Sequence, residues 1–363
     1  MKGKRWVVKV GSSSLTNSQG CISDQKIRQL VLQLAELLHH NQQQVVLVSS
    51  GAVATGLGRL GWARSQITMP EKQAAAAVGQ GLLIERYRTF FKEHGIEIAQ
   101  LLLTRSDIEH RHRFIHIRNT IEALLRNNIL PIINENDTVA VDEIRFGDND
   151  TLASLVALVA QADRLVLLTD IDGLYTANPK KTANAKKISE VWEITDELQQ
   201  SADGQGSAVG IGGMRTKLAA AEMATKAGID VVIASSTEPN GLKRICIGEK
   251  VGTRFYASKR LSSKKSWLAF GSRHEGELVI DQGAVEALLH RSGSLLLAGI
   301  KRVIGDFHEG EVVLIQSPKG ERIAKGITNF SKDDLQLLLR KKEVGEQLPK
   351  IHEVVHRDYM VVF

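Results

Sequence analysis

The sequence predicts an α/β protein: an open, mostly parallel sheet sandwiched by helices, followed by a small β-rich domain. Three observations carry this. Across residues 1–255, short apolar, β-branched runs alternate with helix-period amphipathic stretches, the pattern of a parallel sheet covered on both faces. The apolar runs end in clusters of small and polar residues, at the strand ends where open α/β sheets bind ligands. Beyond about residue 270 the pattern changes to short strands punctuated by glycine, with one helix, which reads as a β-rich unit.

Taken in order, residues 5–10 form an apolar strand leading into GSSSL at 11–15, with Lys9 as a cation at the end of a segment that is otherwise apolar. An amphipathic helix runs from 24 to about 40, with Ile27, Leu30, Val31, Leu34, Leu37 and Leu38 at helical spacing. Residues 44–48 are the second strand and run into SSGAVATG at 49–56. A helix opens near Pro70, tolerated in a first turn, and closes at Gly95. A strand at 96–103, a helix at about 115–128 and a strand at 129–133 follow. Next come a helix at 151–160 and a buried strand ending at Thr169 and Asp170. GIGGMRTK at 210–217 opens an alanine-rich helix closed by Gly228, and IDVVIA is the next strand. Toward the C-terminus a single helix is expected, at about 284–291. These shifts divide the chain into residues 1–255, a basic linker at 256–269 and a β-rich domain at 270–363.

Composition is that of an ordinary globular protein, 43% hydrophobic and 24% charged. The net charge of +6 is unevenly placed: 30 basic against 27 acidic residues in 1–255, four against none in 256–267, and 13 against 14 in 268–363. The basic excess thus lies partly in the linker, and a near-neutral C-terminal region argues against tight RNA binding. Two distant cysteines, Cys21 and Cys246, indicate no disulfide framework and suit a reducing compartment. Lys9 interrupts any signal-peptide core, and no apolar stretch reaches the ~18–20 residues of a membrane span. A cytoplasmic protein that does not enter the membrane is expected.

Residues 132–150, IINENDTVAVDEIRFGDND, are the most concentrated chemistry in the chain. Asn134, Glu135, Asn136, Asp137, Asp142, Glu143, Asp148, Asn149 and Asp150 crowd between an apolar strand and a helix, answered only by Arg145. A capped helix behind a solvated acidic loop would account for some of this, with Asn149 or Asp150 at the N-cap. So many short amides and carboxylates between two buried elements fit better a site for a small, amine-bearing ligand. GSSSL, SSGA and GIGGM each place small residues at a strand-to-helix turn, the setting that cradles phosphate oxygens. GLGRLG at 56–61 satisfies a dinucleotide pattern but starts several residues beyond its strand and lacks a placed acidic partner, so it is read as a chance match. Lys9 and Lys217 stand beside glycine turns on the inferred ligand edge. Two ammonium groups converging there would stabilise a transferring phosphoryl group, with Asp150 holding both. A carboxylate acceptor, already ionised, needs no general base. His110, His112 and His116, mixed with Arg111, Arg113 and Arg118, read as an exposed or subunit-contact helix; no metal site is expected.

VVKVGSSSL, VSSGAVATG, INENDTVA with FGDNDTLASLVA, LLTDIDGLYT and GGMRTKLAAA resemble the successive motifs of the glutamate 5-kinases, a branch of the amino acid kinase family. The resemblance runs to about residue 255, and GSLLLAGI with GEVVLI and IAKGIT resembles a PUA domain. It implies the amino acid kinase fold and ATP-dependent phosphorylation of the γ-carboxylate of L-glutamate to L-glutamyl 5-phosphate, the first step of proline biosynthesis. It further implies that Lys9 and Lys217 stabilise phosphate and that Asp150 orients them. Ser50, Gly51, Asn134, Asp137, Asp148 and Asn149 would surround glutamate. Lys9, Thr169, Asp170, Ile211, Gly212, Gly213, Met214, Arg215, Thr216 and Lys217 would contact ATP, with Mg²⁺ arriving on the nucleotide. Feedback inhibition by proline, a homo-oligomer (dimer or tetramer) and hand-over of product to glutamyl phosphate reductase are family expectations. One departure stands out: Ile211 occupies a position where the family pattern commonly has threonine, which implies an altered nucleotide contact.

Overall fold

The structure is a computed structural model that describes residues 4–17, 19–63, 67–140, 149–177, 179, 182, 184–201, 213–258, 262–291, 293–345 and 353–363. It divides into two compact units, residues 1–260 and 261–363.

The first unit is built on an eight-stranded sheet in the order β3-β4-β2-β1-β5-β9-β10-β8. These strands are β1 Arg5–Val10, β2 Gln44–Val48, β3 Ile98–Leu103, β4 Leu130–Glu135, β5 Arg164–Thr169, β8 Glu190–Val191, β9 Asp230–Ser235 and β10 Thr253–Phe255. The first six in that order are parallel, whereas β10 pairs antiparallel with β9 and parallel with β8. A separate two-stranded ribbon pairs β6 Leu174–Tyr175 with β7 Lys187–Ile188.

Helices cover this sheet: α1 Asp24–His39, α2 Ala52–Leu60, α3 Met69–Lys92, α4 Arg105–Glu109, α5 Arg111–Arg126, α6 Asn149–Val159, α7 Asp196–Ser201, α8 Met214–Lys226 and α9 Gly241–Cys246. Period-two alternation sorts the strand residues. Trp6, Val8 and Val10 enter one buried cluster with Leu30, Leu34 and Leu37 of α1 and with Leu83, Tyr87 and Phe91 of α3. Val7 and Lys9 therefore point to the opposite face, where α6 packs on β1 and against α8.

The expected elements over residues 5–169 are present with small shifts at their ends. Two differences are instructive. The 151–160 helix starts at Asn149, so Asn149 and Asp150 lie in its first turn rather than at its cap. The SSGA turn expected between strand and helix is present, with β2 ending at Val48 and Gly51 capping α2, whereas α2 itself, which takes in AVATG and most of the discounted GLGRLG, was unforeseen because two glycines weaken a nine-residue helix. Those glycines serve packing. A Cβ on Gly56 would lie 1.8 Å from the Ala75 carbonyl oxygen, and one on Gly79 of α3 would lie 1.8 Å from that of Ala52.

The second unit holds a six-stranded sheet in the order β12-β16-β15-β14-β11-β13, with β11 Gly276–Ile280, β12 Leu295–Leu296, β13 Ile300–Gly305, β14 Val312–Gln316, β15 Arg322–Thr328 and β16 Glu353–Val362. Its core gathers Leu278, Ile280, Phe307, Val313, Ile315 and Leu335. The helix expected at 284–291 is α11 Gln282–His290, capped by Asp281. A further helix, α12 Lys332–Glu343, was not expected, although Ser331 and Asp334 form a capping box ahead of it. The basic stretch read as a linker straddles the division between units: Ser258 bonds the Thr225 carbonyl in the first, and α10 Ser263–Ser266 with the π-turn Trp267–Gly271 lies in the second. Among the described residues no helix is long and apolar enough to cross a membrane.

Candidate active site

The parallel strands β1, β2, β4 and β5 end on one edge, because their register places Lys9 level with Val48 and Leu167, and Val48 level with Ile133. Helix α6 returns across this edge, and its first turn supplies the central group. Asp150 is fully buried, with Lys9 and Lys217 nearly so. Lys9 Nζ donates to Asp150 Oδ1 at 2.5 Å and Lys217 Nζ to Oδ2 at 3.1 Å. Thr216 Oγ1 lies 3.2 Å from the same Oδ2 and donates at 2.8 Å to the Gly213 carbonyl. Residues 9, 150 and 217, far apart in sequence, thus meet as two ammonium groups on one carboxylate. Ion pairs in such surroundings are short and strong only when well bonded, since burial penalises each charge.

Lys217 rides in the first turn of α8, whose N-cap is Gly213. The first-turn N–H groups of that helix have no partner within it and favour anions. Met214 is buried, while Arg215 is exposed. On β5, Thr169 is buried and donates to the exposed Asp170 carboxylate at 3.0 Å. Gly11, after β1, runs so close to Lys9 that a Cβ there would lie 3.7 Å from Nζ.

Beside this clasp is a corner of amides. Asn149 Nδ2 donates to the Ser49 carbonyl at 2.7 Å, to Ser50 Oγ at 2.9 Å and to Asn134 Oδ1 at 3.0 Å. Asn134 Oδ1 also accepts from the Glu135 backbone N–H at 2.9 Å. Gly51 caps α2 with φ of +103°, a left-handed conformation that glycine adopts without strain. Asp137 lies two residues beyond the end of β4. Burial pushes its carboxyl pKa up to about 6, because a desolvated charge is disfavoured.

The structure therefore brings Lys9, Asp150, Thr216 and Lys217 together, and Ser50, Asn134 and Asn149 together. Asp148, Ile211 and Gly212 lie outside the described residues. The histidines at 110, 112 and 116 are exposed, and His110 caps α5. Sequence reasoning missed the polar residues beneath the corner: Gln80 and Tyr87 on α3, and Gln100 on β3. Tyr87 hydroxyl lies 3.0 Å from Ser49 Oγ, and burial raises its pKa so that it stays protonated. The overlooked signal was Gln80 itself, a polar residue in the buried stripe Ala75, Ala76, Gly79, Leu83 and Tyr87.

Comparison with known proteins identifies the family. The model of the amino acid kinase family matches residues 4–235, and that of the PUA domain matches residues 276–345. The chain is 47% identical to a glutamate 5-kinase of Carboxydothermus hydrogenoformans, over 99% of this chain and 97% of that one. It is 45% identical to a glutamate 5-kinase of Moorella thermoacetica, with the same two shares covered. Among solved structures, carbamate kinase from Giardia lamblia bound to AMP-PNP aligns with a TM-score of 0.51 at 20% identity, over 70% of this chain and 99% of that one. That likeness concerns the fold. From fold, motifs and relatives together, the chain belongs to the amino acid kinase family, within it to the glutamate 5-kinases, and carries a PUA domain after its kinase unit.

Proposed function

We propose that this chain transfers the γ-phosphoryl group of ATP to the γ-carboxylate of L-glutamate, giving L-glutamyl 5-phosphate and ADP, and so opens proline biosynthesis. The observation that carries the reading is the clasp of Lys9 and Lys217 on Asp150 beside the Asn134–Asn149 corner. A carboxylate oxygen of glutamate forms a bond to the γ-phosphorus while the bond from that phosphorus to the bridging oxygen of ADP breaks. The nucleophile is already an anion at neutral pH, so no side chain has to remove a proton. The chain's task is placement and charge. Lys9 and Lys217 lie against the equatorial phosphoryl oxygens, and Asp150 keeps both ammonium groups aimed. The first turn of α8, from Met214 to Lys217, with Thr169 and Asp170, holds the nucleotide.

Mg²⁺, arriving with the nucleotide, would neutralise its phosphates. Asp170, exposed and with one oxygen engaged by Thr169, is the residue that would help to hold it. Ser50, Asn134, Asp137 and Asn149, with Gly51 shaping the turn, surround glutamate; proline inhibits by competing for this corner. The same reading makes the protein a cytoplasmic homo-oligomer that passes its labile product to glutamyl phosphate reductase.

The test is ATP-dependent hydroxamate formation with L-glutamate by wild type and Lys217→Ala. Removing one charge-stabilising donor lowers kcat by about 10²–10³. Turnover of aspartate or acetylglutamate in place of glutamate would keep the phosphoryl chemistry and refute the substrate.

A further inference from the structure

Beneath the amide corner lies a polar cluster that phosphoryl transfer does not use: the buried Gln80 and Tyr87 with Gln100, exposed on β3, around a small cavity that reaches Ser49 and Asn134. Each amide leading from it to the site is tied to a backbone group of fixed polarity. Gln80 Nε2 donates to the Glu135 carbonyl at 3.1 Å, which turns Gln80 Oε1 toward Asn134. Asn134 Nδ2 donates to that oxygen at 3.2 Å, and Gln100 Nε2 approaches it at 3.5 Å. The Glu135 N–H, donating to Asn134 Oδ1, fixes the second amide. The Ser49 carbonyl, accepting from Asn149 Nδ2, fixes the third. An amide NH₂ group has two protons, and Asn149 turns both inward, to Ser49, Ser50 and Asn134. What Asn149 has left for a ligand is its oxygen, an acceptor.

We propose that Gln80 is a positioning residue that sets specificity at the amino-acid site: it locks the Asn134 amide, and through it the Asn149 amide, so that the corner presents an acceptor to the substrate's α-ammonium group. This rests on the glutamate reaction proposed above. Without the Gln80 oxygen, Asn134 keeps one anchor and its soft terminal torsion is freed. Its NH₂ can then meet that of Asn149, and the corner loses its fixed polarity.

The experiment compares L-glutamate with glutarate, which keeps both carboxylates and lacks the amine. Full-length wild type, Gln80→Met, Gln80→Asn and Tyr87→Phe are assayed for ATP-dependent hydroxamate formation, with melting temperatures recorded. In either Gln80 variant KM for glutamate rises about tenfold, the loss of one well-oriented hydrogen bond. The KM for ATP, kcat at saturating glutamate and the kinetics with glutarate stay as in wild type. The preference for glutamate over glutarate therefore narrows about tenfold. Gln80→Asn withdraws the amide while leaving a polar group in the cavity, and serves if Gln80→Met does not fold. Tyr87→Phe removes a polar group beside the same cavity without touching Asn134, and keeps the wild-type preference. Equal losses on glutamate and glutarate in the Gln80 variants, or the same narrowing in Tyr87→Phe, overturn the proposal and make the cluster structural. A wild type that turns over no glutamate refutes the functional reading, and with it the ammonium that Asn149 is oriented to meet.

Discussion

With Asp137 at the glutamate site, as proposed above, the site gains a pH dependence whose sign follows from the raised pKa of that carboxyl. A carboxyl held at about 6 by burial is neutral below that value and cannot pair with an ammonium group. The kcat/KM for glutamate, which reports the free enzyme, therefore falls about tenfold per unit as pH drops below about 6. In Asp137→Asn this limb is absent; if it persists there, another group titrates. Stability has the opposite sign: the charged form is the penalised one, so without ligand this group costs stability as pH rises from about 4 through 6. At this scale the sequence was informative wherever a residue contradicted its surroundings. Lys9 stood out because it interrupts a buried strand, and Asn134 and Asn149 because amides crowd an apolar junction. Gln80 was overlooked, since a glutamine in an alanine-rich helix reads as part of the polar face until the buried stripe it belongs to is traced.

At the scale of elements, the contact of α2 with α3 sets where the corner stands, since Ser50 and Gly51 lead directly into α2. In Gly79→Ala the new methyl meets the Ala52 oxygen and the Gly56 nitrogen, both backbone, so the helices must separate. Alanine's better helix propensity recovers about 1 kcal/mol, but overpacking against backbone costs about 3 kcal/mol, and the net effect is a loss seen in urea denaturation. Gly81→Ala, two residues on, meets nothing within 4 Å and raises stability by about 0.5–1 kcal/mol. Equal behaviour of the two variants would mean that α2 and α3 separate without cost. Strands β1, β2, β4, β5 and β9 were legible to within about two residues because their burial is nearly continuous and their ends are polar, whereas the two- and three-residue strands β6, β7, β8 and β10 are too short to leave a pattern. Helix α2 was hidden because tertiary packing, rather than propensity, forms it. Helix α12 was hidden by its composition: charges crowd behind its capping serine in a run that reads as surface loop until Leu335 is seen in the core.

At the scale of the molecule, each unit has its own apolar cluster, and every described residue of the candidate site belongs to the first. A fragment of residues 1–260 therefore keeps ATP-dependent hydroxamate formation with glutamate. Loss of turnover in a fragment that remains soluble and cooperatively folded would show that the second unit completes the site. The change of pattern near residue 270 made two units legible in the sequence. The point of division was less so, because a basic, serine-rich stretch looks like a linker whether or not some of it folds as a helix.

The place of β1 in the sheet has a consequence for biosynthesis. Strand β1, Arg5–Val10, leaves the ribosome before both strands it pairs with, and ends between β2 and β5. Its β2 partner emerges soon afterwards. Its other flank stays without its partner until residues 164–169 have been made, and Lys9 lacks its carboxylate until residue 150. Pairings this distant in sequence form slowly and leave apolar strand edges open meanwhile. Translation speed between residues 48 and 164 thus sets how long the nascent chain carries its central strand half-covered, and this is the interval in which chaperones have most to shield.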